Sequence, residues 1–270
     1  MKLHLVLSRV LALAAAILWV GPYWWMLITS FKTLPELLES PLSPWPATLT
    51  FSAYREVWLS VPMARYLANT ALMALQIALL QIALGLPAGF ALAKLHFVGK
   101  KIAFGLVLVC LLVPAQVTFV PVFLFLGQVG LVNTMAGLVL PFGASALGTF
   151  LVRQALLSVP DELIEAARLD GASDAYIVYV LLAPILRPTL AALFLLSFVF
   201  HWNDYFWPLV MTTDDRIRTI PLAIALLREQ GTGVRWHLVM AGNVILSAPI
   251  LVVFALTQKH LIRAVTAKGL

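Results

Sequence analysis

Long uncharged apolar runs make up most of this sequence. Residues 102–152 contain no acidic or basic side chain, and this run is about twice as long as the ~20 residues that one membrane-spanning helix needs. A soluble domain has roughly 25% charged residues, whereas this chain has 11% charged and 62% hydrophobic residues. The sequence therefore predicts an all-α integral membrane protein.

Six segments are expected to span the membrane within a single domain, residues 1–270. The N-terminal run is too long for the core of a signal peptide and lacks a small-residue cleavage site, so it is predicted to be an uncleaved first span. The run 102–152 must cross twice, with its break near 127–133, a cluster of Gly, Gln and Asn. The predicted spans are 10–31, 66–93, 102–126, 134–153, 186–211 and 236–258.

The three prolines of the long run, Pro114, Pro121 and Pro141, are expected to kink its helices. The distribution of basic residues predicts the orientation of the chain. Of the 18 Lys and Arg residues, eleven fall on the side of the termini and seven on the opposite side. Since cytoplasmic loops carry the excess of Lys and Arg, both termini are predicted to lie in the cytoplasm. The formal charge of +6 is then explained by these loops and not by binding to nucleic acid.

The sequence contains no pattern that indicates catalysis. It has no glycine-rich phosphate loop followed by Lys, no His-Glu-x-x-His pair and no Gly-x-Ser-x-Gly turn. Its five histidines lack metal-ligand spacing, and the single Cys110 is predicted to be a small buried apolar residue. We therefore expect no enzyme activity, catalytic residue, cofactor or metal site, and any ATP-driven step must be performed by another protein.

One polar, acidic element, residues 160–184, interrupts the apolar helices. Pro160 suits the first turn of a helix, where the two carboxylates that follow it interact favourably with the helix dipole. Gly171 is expected to end this helix, and Ser173 is a good N-cap for a second one. The pattern predicts a short helix, a tight turn and a second helix, which we call the polar hairpin.

The polar hairpin has two interpretations apart from a docking element. It could be an ordinary helical hairpin that packs on a neighbour. It also has the alanine-to-glycine spacing of many helix-turn-helix units that bind DNA. Charge excludes DNA binding, because a phosphate backbone requires basic residues and Arg168 is the one base among five acids, namely Asp161, Glu162, Glu165, Asp170 and Asp174.

Several features of the polar hairpin occur at the spacing of a known motif: a Glu-Ala-Ala triplet, an Asp-Gly pair whose Gly comes six residues after the Glu, and a Pro near the end of the second helix. The residues are Glu165, Ala166, Ala167, Asp170, Gly171 and Pro184. This pattern resembles the EAA loop of bacterial ABC importer permease subunits, although Leu181 and Ala183 stand where that family usually has Ile and Leu. The downstream triplet from Trp202 to Asp204 resembles more narrowly the carbohydrate-type permeases, including those for glycerol phosphate.

The resemblance covers nearly the whole chain and implies a fold, partners and a mechanism. It implies the type I ABC importer permease fold with six transmembrane helices, in the bacterial cytoplasmic membrane. The implied partners are a second, homologous permease subunit, two copies of a cytoplasmic ABC ATPase and an external solute-binding protein. The motif residues of the polar hairpin would contact the ATPase, and ATP would drive alternating access.

The fifth predicted span carries the candidate solute site. Asp204 is the one acid placed inside a span, where a carboxylate normally faces a partner or a wet cavity. With Trp202, Asn203 and Tyr205 it offers acceptors and flat apolar surfaces suited to a sugar or polyol. Tyr205 and Trp207 could instead be interfacial anchors, and Asp204 could instead hold the two permease chains together. Glycerol phosphate is the alternative solute, disfavoured because no Lys or Arg lies in the interior of a span to bind its phosphate.

A second functional class is a transporter driven by an ion gradient. Such proteins usually have repeated halves and several charges within the membrane. The first half of this chain contains no second copy of the polar hairpin, and one acid is poor provision for ion coupling. An assembly or scaffold protein is a third possibility. The sequence favours a permease subunit over both.

Overall fold

The computed structural model describes residues 2–229 and 235–266, with all their side chains except those of residues 2–6, 115–116, 228–229 and 259–266. The predicted cytoplasmic residue Lys268 lies outside the described residues. The chain forms two compact units. The first contains the residues up to Leu67 and Thr219–Pro249, and the second contains Ala68–Arg218 and the helix from Ile250 onward.

The described part of the chain is helical. Its helices are α1 (Lys2–Ser30), α2 (Leu34–Glu39), α3 (Ser52–Ser60), α4 (Met63–Lys94), α5 (Lys100–Leu112), α6 (Ala115–Gln128), α7 (Met135–Val139), α8 (Ala146–Leu156), α9 (Asp161–Leu169), α10 (Asp174–Ile185), α11 (Arg187–Trp202), α12 (Phe206–Met211), α13 (Ile220–Glu229) and α14 (Trp236–Thr266). A 3-10 turn, Leu140–Phe142, follows α7, and Ile177–Leu182 of α10 is π-helical.

Three helices are long and apolar enough to cross a membrane: Leu7–Ser30, Met63–Lys94 and Trp236–Gln258. Three bent pairs reach the same length and composition when each pair is taken together, so the described residues contain up to six candidate spans. These pairs are Lys100–Leu112 with Val117–Gln128, Met135–Phe142 with Ala146–Leu156, and Asp174–Ile185 with Arg187–Trp202.

Three of the predicted continuous spans are interrupted in the structure. The predicted span 134–153 is divided into α7 with its 3-10 turn and α8, with a bend of 43° between them. In the predicted span 102–126, Pro114 does not kink one helix but separates α5 from α6, since it has extended backbone angles and serves as the N-cap of α6. In the predicted span 186–211, α11 ends at Trp202 and α12 begins at Phe206. Asp204 therefore lies in a break between two helices and not inside a continuous helix.

Each unit has its own buried core. In the first unit, α3 packs through Ala53 and Val57 against residues of α13 and the beginning of α14. The second unit has two clusters among its described residues. One joins α4 and α8 to the polar hairpin around Leu86, Leu156 and Ile177, and the other surrounds Trp207.

Helix α5 is less buried than the sequence predicts. Cys110, expected to be a buried apolar residue, is exposed. None of the residues of α5 is fully buried, and Phe104 stacks on Phe150 of α8 along one side of the helix. An apolar helix that packs on one neighbour leaves its other sides to lipid or to another subunit.

Candidate functional site

The first candidate site is the polar hairpin, formed by α9, a tight turn and α10. Ile164 is buried and Ala167 is partly buried against the core, whereas Glu165 and Ala166 of the triplet are exposed. Asp161 and Glu162 occupy the first turn of α9, where carboxylates interact favourably with the helix dipole. The hairpin therefore presents an acidic and small-residue face to its surroundings.

An apolar side chain on this face was not identified from the sequence. Leu169 is 90% exposed, although α9 buries Ile164 on its other side. Five residues at 3.6 per turn place Leu169 roughly 140° around the helix from Ile164. The helical period of the sequence therefore contained the signal, because it places this leucine on the polar face of an amphipathic helix.

The turn between α9 and α10 depends on backbone geometry. Gly171 has a φ of +81° and a Cβ at this position would meet no atom within 4 Å, so glycine is required here by conformation and not by space. The amide of Ala172 donates to the carbonyl of Ala167 at 2.9 Å, which is the pattern of a glycine-terminated helix. Ser173 then caps α10 by accepting a bond from the amide of Tyr176 at 3.2 Å.

Two side-chain contacts fix the polar hairpin to α4. The Lys94 ammonium donates to the carbonyl of Val159 at 2.6 Å and to Oδ1 of Asp161 at 2.5 Å. The Tyr179 hydroxyl donates to the carbonyl of Ala83 at 3.0 Å. Pro184, the last residue of the predicted motif, is exposed within α10. The hairpin is thus bonded to the membrane helix near both of its ends.

The second candidate site is a cavity of about 210 Å³ beside Asp204. It is mostly apolar, and Asp204 is the one ionisable residue among those that line it. The lining residues are Thr118, Phe119, Val122, Pro141, Phe142, Phe200, Asp204, Phe206 and Trp207. Oδ1 of Asp204 also accepts a bond from the amide of Trp207 at 3.3 Å, so this carboxylate both caps α12 and faces the cavity.

Two of the predicted pathway residues, Trp202 and Asn203, do not line the cavity beside Asp204, whereas Trp207 does. Trp202 is 2% exposed, stacks on Phe198 and does not line the cavity. Asn203 donates to the carbonyl of Val199 in its own helix at 2.8 Å. Trp207, considered as an interfacial anchor, lines the cavity instead, and its indole N–H donates to the carbonyl of Gly137 at 3.2 Å.

Trp202 and Asn203 therefore do not line the same cavity as Asp204 in the structure. The helix break after Trp202 changes which side chains follow Asp204 around the axis, because the period of α11 does not continue into α12. Tyr205 is about two-fifths exposed and lies outside the residues that line the cavity. Of the four predicted pathway residues, Asp204 is the one that faces the cavity.

A chain of apolar helices that holds one structured polar hairpin on its membrane helices has the architecture of a transport permease. Comparison with known proteins agrees: the chain belongs to the family described as binding-protein-dependent transport system inner membrane component, whose sequence pattern matches residues 85–267. The protein is thus the permease component of a binding-protein-dependent ABC importer, a multi-pass inner-membrane protein.

Relatives and a solved structure extend the comparison along the chain. The chain is similar to the sn-glycerol-3-phosphate transport system permease protein UgpE of Pectobacterium atrosepticum, with 31% identity over 235 residues and 84% of each chain covered. UgpE of Rhizobium meliloti is 29% identical over 265 residues, covering 95% of this chain and 94% of the relative.

A crystal structure of a bacterial ABC transporter that imports the acidic polysaccharide alginate contains a similar chain. Its TM-score is 0.85 at 22% identity, and 96% of each chain is covered. This likeness shows the type I importer permease fold.

Proposed function

We propose that the polar hairpin is the part of this permease that engages a separate cytoplasmic ATPase. The observation that supports it is the exposed face of α9, where Glu165 and Leu169 stand on a helix bonded to α4 through Lys94. Glu165 is placed to form an ion pair with a basic residue of the ATPase. The small side chain of Ala166 allows close approach of the partner, and Leu169 supplies an apolar contact. Asp170, Gly171 and Pro184 shape the turn and the second helix.

We infer that the chain pairs with a second, homologous permease, two copies of the ATPase and an external solute-binding protein, with both termini in the cytoplasm. The ATPase subunit performs ATP hydrolysis, because this sequence contains no phosphate-binding loop. Closure of the ATPase pair moves the polar hairpins, and the permease pair turns its cavity from inward-facing to outward-facing.

Two substitutions test the polar hairpin. Gly171→Val forces a β-branched residue into a positive φ, and Glu165→Lys reverses the charge of the exposed face. Both are expected to reduce co-purification of the ATPase and ATP hydrolysis stimulated by the loaded binding protein. Gly130→Val is the matched control, since Gly130 has a φ of +71° and equally open surroundings but lies far along the chain from the hairpin. Unchanged coupling in both hairpin variants contradicts the proposal.

We propose further that the Asp204 cavity forms part of the solute pathway and that the solute is a sugar or polyol. A carboxylate among aromatic side chains accepts hydroxyl hydrogen bonds, while the ring faces pack against the apolar side of a sugar. Ligand pockets usually measure roughly 300–1,000 Å³, so a cavity of about 210 Å³ fits one side of a site that the partner permease completes.

The second candidate solute is sn-glycerol 3-phosphate, favoured by the names of the relatives. No Lys or Arg lines the Asp204 cavity, and a carboxylate repels a phosphate. This solute therefore requires that the partner permease supply the cations, with Asp204 near the glycerol hydroxyls. Uptake of labelled sn-glycerol 3-phosphate, compared with labelled neutral sugars in vesicles that contain the whole complex, separates the two candidates.

Two substitutions of Asp204 separate a pathway role from a structural one. Asp204→Asn keeps an oxygen that can cap α12 but removes the charge, whereas Asp204→Ala removes both. A pathway role predicts that Asp204→Asn, which keeps the cap, already loses uptake in an intact complex. A structural role predicts an intact, active complex for Asn and loss of the complex for Ala. Trp202→Ala serves as a packing control that costs about 3–5 kcal/mol of stability, because Trp202 is buried.

A further inference from the structure

A hydrogen bond from the polar hairpin replaces one that α4 loses at Pro87. Pro87 lies inside α4 and has no backbone N–H, so the carbonyl four residues before it, that of Ala83, lacks its usual donor within the helix. The Tyr179 hydroxyl of α10 donates to this same carbonyl at 3.0 Å. The polar hairpin therefore satisfies the one backbone acceptor that the proline leaves open.

The side chain of Tyr179 contributes mainly through its hydroxyl. Its neighbours Ile177 and Val178 are buried in the core beneath the hairpin, whereas Tyr179 is 49% exposed. The segment from Ile177 to Leu182 is π-helical, and such segments often occur at functional sites. Loss of the hydroxyl would remove this bond from a carbonyl within a candidate membrane span, and an unpaired carbonyl is costly wherever it lies in lipid.

Tyr179 is the second of two points at which the hairpin is bonded to α4. The first is Lys94, which binds the beginning of α9 through Asp161. Ala83 and Lys94 are separated by about 16 Å along the helix at ~1.5 Å per residue, and Pro87 lies between them. The hairpin is bonded to α4 on both sides of Pro87. Rotation of the hairpin about either contact therefore requires a change in the bend of α4 at the proline.

The part of α4 before Pro87 continues the connection toward the Asp204 cavity. Met73 and Ile77 are buried in the same cluster as Trp207, and Trp207 lines that cavity. Contacts of described residues thus run from the hairpin through Tyr179 and α4 to the cavity wall, all within the second unit. Such a series of contacts becomes evidence of coupling only when a measurement shows that the two ends depend on each other.

We propose that Tyr179 is a positioning residue that transmits movement of the polar hairpin to α4 at Pro87. Through the bond to Ala83, movement of the hairpin changes the bend of α4 at Pro87. The part of α4 before Pro87 then moves with the hairpin. The proposal rests on the proposed coupling role of the hairpin. It assigns to Tyr179 a role separate from docking of the ATPase, since its hydroxyl is bonded to α4.

The test measures the shape of α4 in the whole complex in lipid nanodiscs. Spin labels at Leu75→Cys and Ala91→Cys flank Pro87 about 24 Å apart along the helix, and Cys110→Ser removes the exposed native cysteine. Pulsed electron resonance reports the label distance with and without ATP and orthovanadate. The unmodified Tyr179 complex is expected to change this distance, and Tyr179→Phe to reduce the change to less than about half.

Two further variants make the result specific. Pro87→Ala restores a backbone N–H for the Ala83 carbonyl, so Tyr179→Phe should have no additional effect in that background. Tyr176→Phe is the matched control: Tyr176 is in the same helix, is 54% exposed and makes no side-chain hydrogen bond to a described residue, so the distance change should stay as in the unmodified complex. If Pro87→Ala does not assemble, the comparison of Tyr179→Phe with Tyr176→Phe still decides.

Three results overturn the inference: no distance change in the unmodified complex, the same change with Tyr179→Phe, or an equal effect of Tyr179→Phe with and without Pro87. ATPase co-purification distinguishes this failure from failure of the proposed function. Tyr179→Phe should retain the ATPase, whereas Glu165→Lys and Gly171→Val should lose it. If those two variants stay coupled, the docking role itself is wrong.

Discussion

Lys94 Nζ lies 2.5 Å from Oδ1 of Asp161, so the last residue of the membrane helix α4 is bonded to the first residue of α9. The two side chains differ in environment, since Lys94 is 7% exposed and Asp161 is 73% exposed. Lys94 also donates to the carbonyl of Val159, so a buried cation lies where the polar hairpin begins. The orientation of α9 therefore depends on a contact with α4 that its own sequence does not contain.

This contact predicts a pH dependence. The hydrogen bond from Lys94, and then its charge, hold the pKa of Asp161 below its usual value of 3.8. A lowered pKa means that the pair stabilises the fold fully above pH 3.8 and that this contribution is lost as the pH falls through the lower, folded-state value. Thermal unfolding of the purified protein should show Asp161→Asn less stable than the unmodified protein at neutral pH, and the difference should shrink in acid. In a Lys94→Met background, Asp161→Asn should lose only the smaller interaction of the carboxylate with the α9 dipole, and an undiminished difference would contradict the pairing.

Asn133 predicts a separable backbone and side-chain effect. It has a φ of 60°, accepts from the amide of Thr213 at 3.0 Å and donates to Oδ2 of Asp214 at 2.8 Å. Asn133→Gly removes the side-chain bonds and keeps the backbone conformation, whereas Asn133→Ala adds a conformational cost of about 1–2 kcal/mol. The free energy of unfolding measured by denaturation should be highest for the unmodified protein, lower for Asn133→Gly and lowest for Asn133→Ala. Equal stability of the two variants would show that the positive φ carries no cost.

Gly137 should tolerate no larger residue. A Cβ there would lie 2.1 Å from the carbonyl oxygen of Leu131 and 2.7 Å from the Met211 side chain. We expect Gly137→Ala to cost about 1–3 kcal/mol or more and to disturb the bond between its carbonyl and Trp207, seen as a shift in tryptophan emission. Gly105→Ala is the control, because its Cβ would meet nothing within 4 Å and a helical alanine gains roughly 0.5–1 kcal/mol.

Leu169 should affect ATPase binding without affecting the fold. Because it is 90% exposed, Leu169→Ser should leave thermal stability within about 0.5 kcal/mol. If Leu169 is buried against the ATPase, its loss costs about 1.5–3 kcal/mol of binding, or roughly 10- to 150-fold in affinity. Titration of the ATPase onto nanodiscs measures this directly. Leu42→Ser is the matched control, because it makes the same substitution at a residue that is 82% exposed and lies outside the hairpin. This variant should bind the ATPase as the unmodified protein does.

The sequence predicted local structure where a few neighbouring residues decide it. The end of α9 at Gly171 and the cap of α10 at Ser173 depend on backbone hydrogen bonds over one turn of helix, so their residue types were sufficient signals. The same holds for the break after Gln128, where Gly130 and Asn133 have positive φ. The break after Trp202 was missed, because Asp204 was interpreted as a charge within a helix and not as the cap of the next one.

By itself, the sequence determined that this chain is an apolar helical membrane protein with one polar hairpin, since uncharged length and composition are additive properties of a segment. Tertiary structure decided that Trp207 and not Trp202 faces the Asp204 cavity, that Lys94 is bonded to Asp161, and that Tyr179 reaches Ala83. The physical reason is distance along the chain. Each of these contacts joins residues of different helices, and the direction in which a side chain points depends on how those helices pack, which a local pattern of residues does not encode.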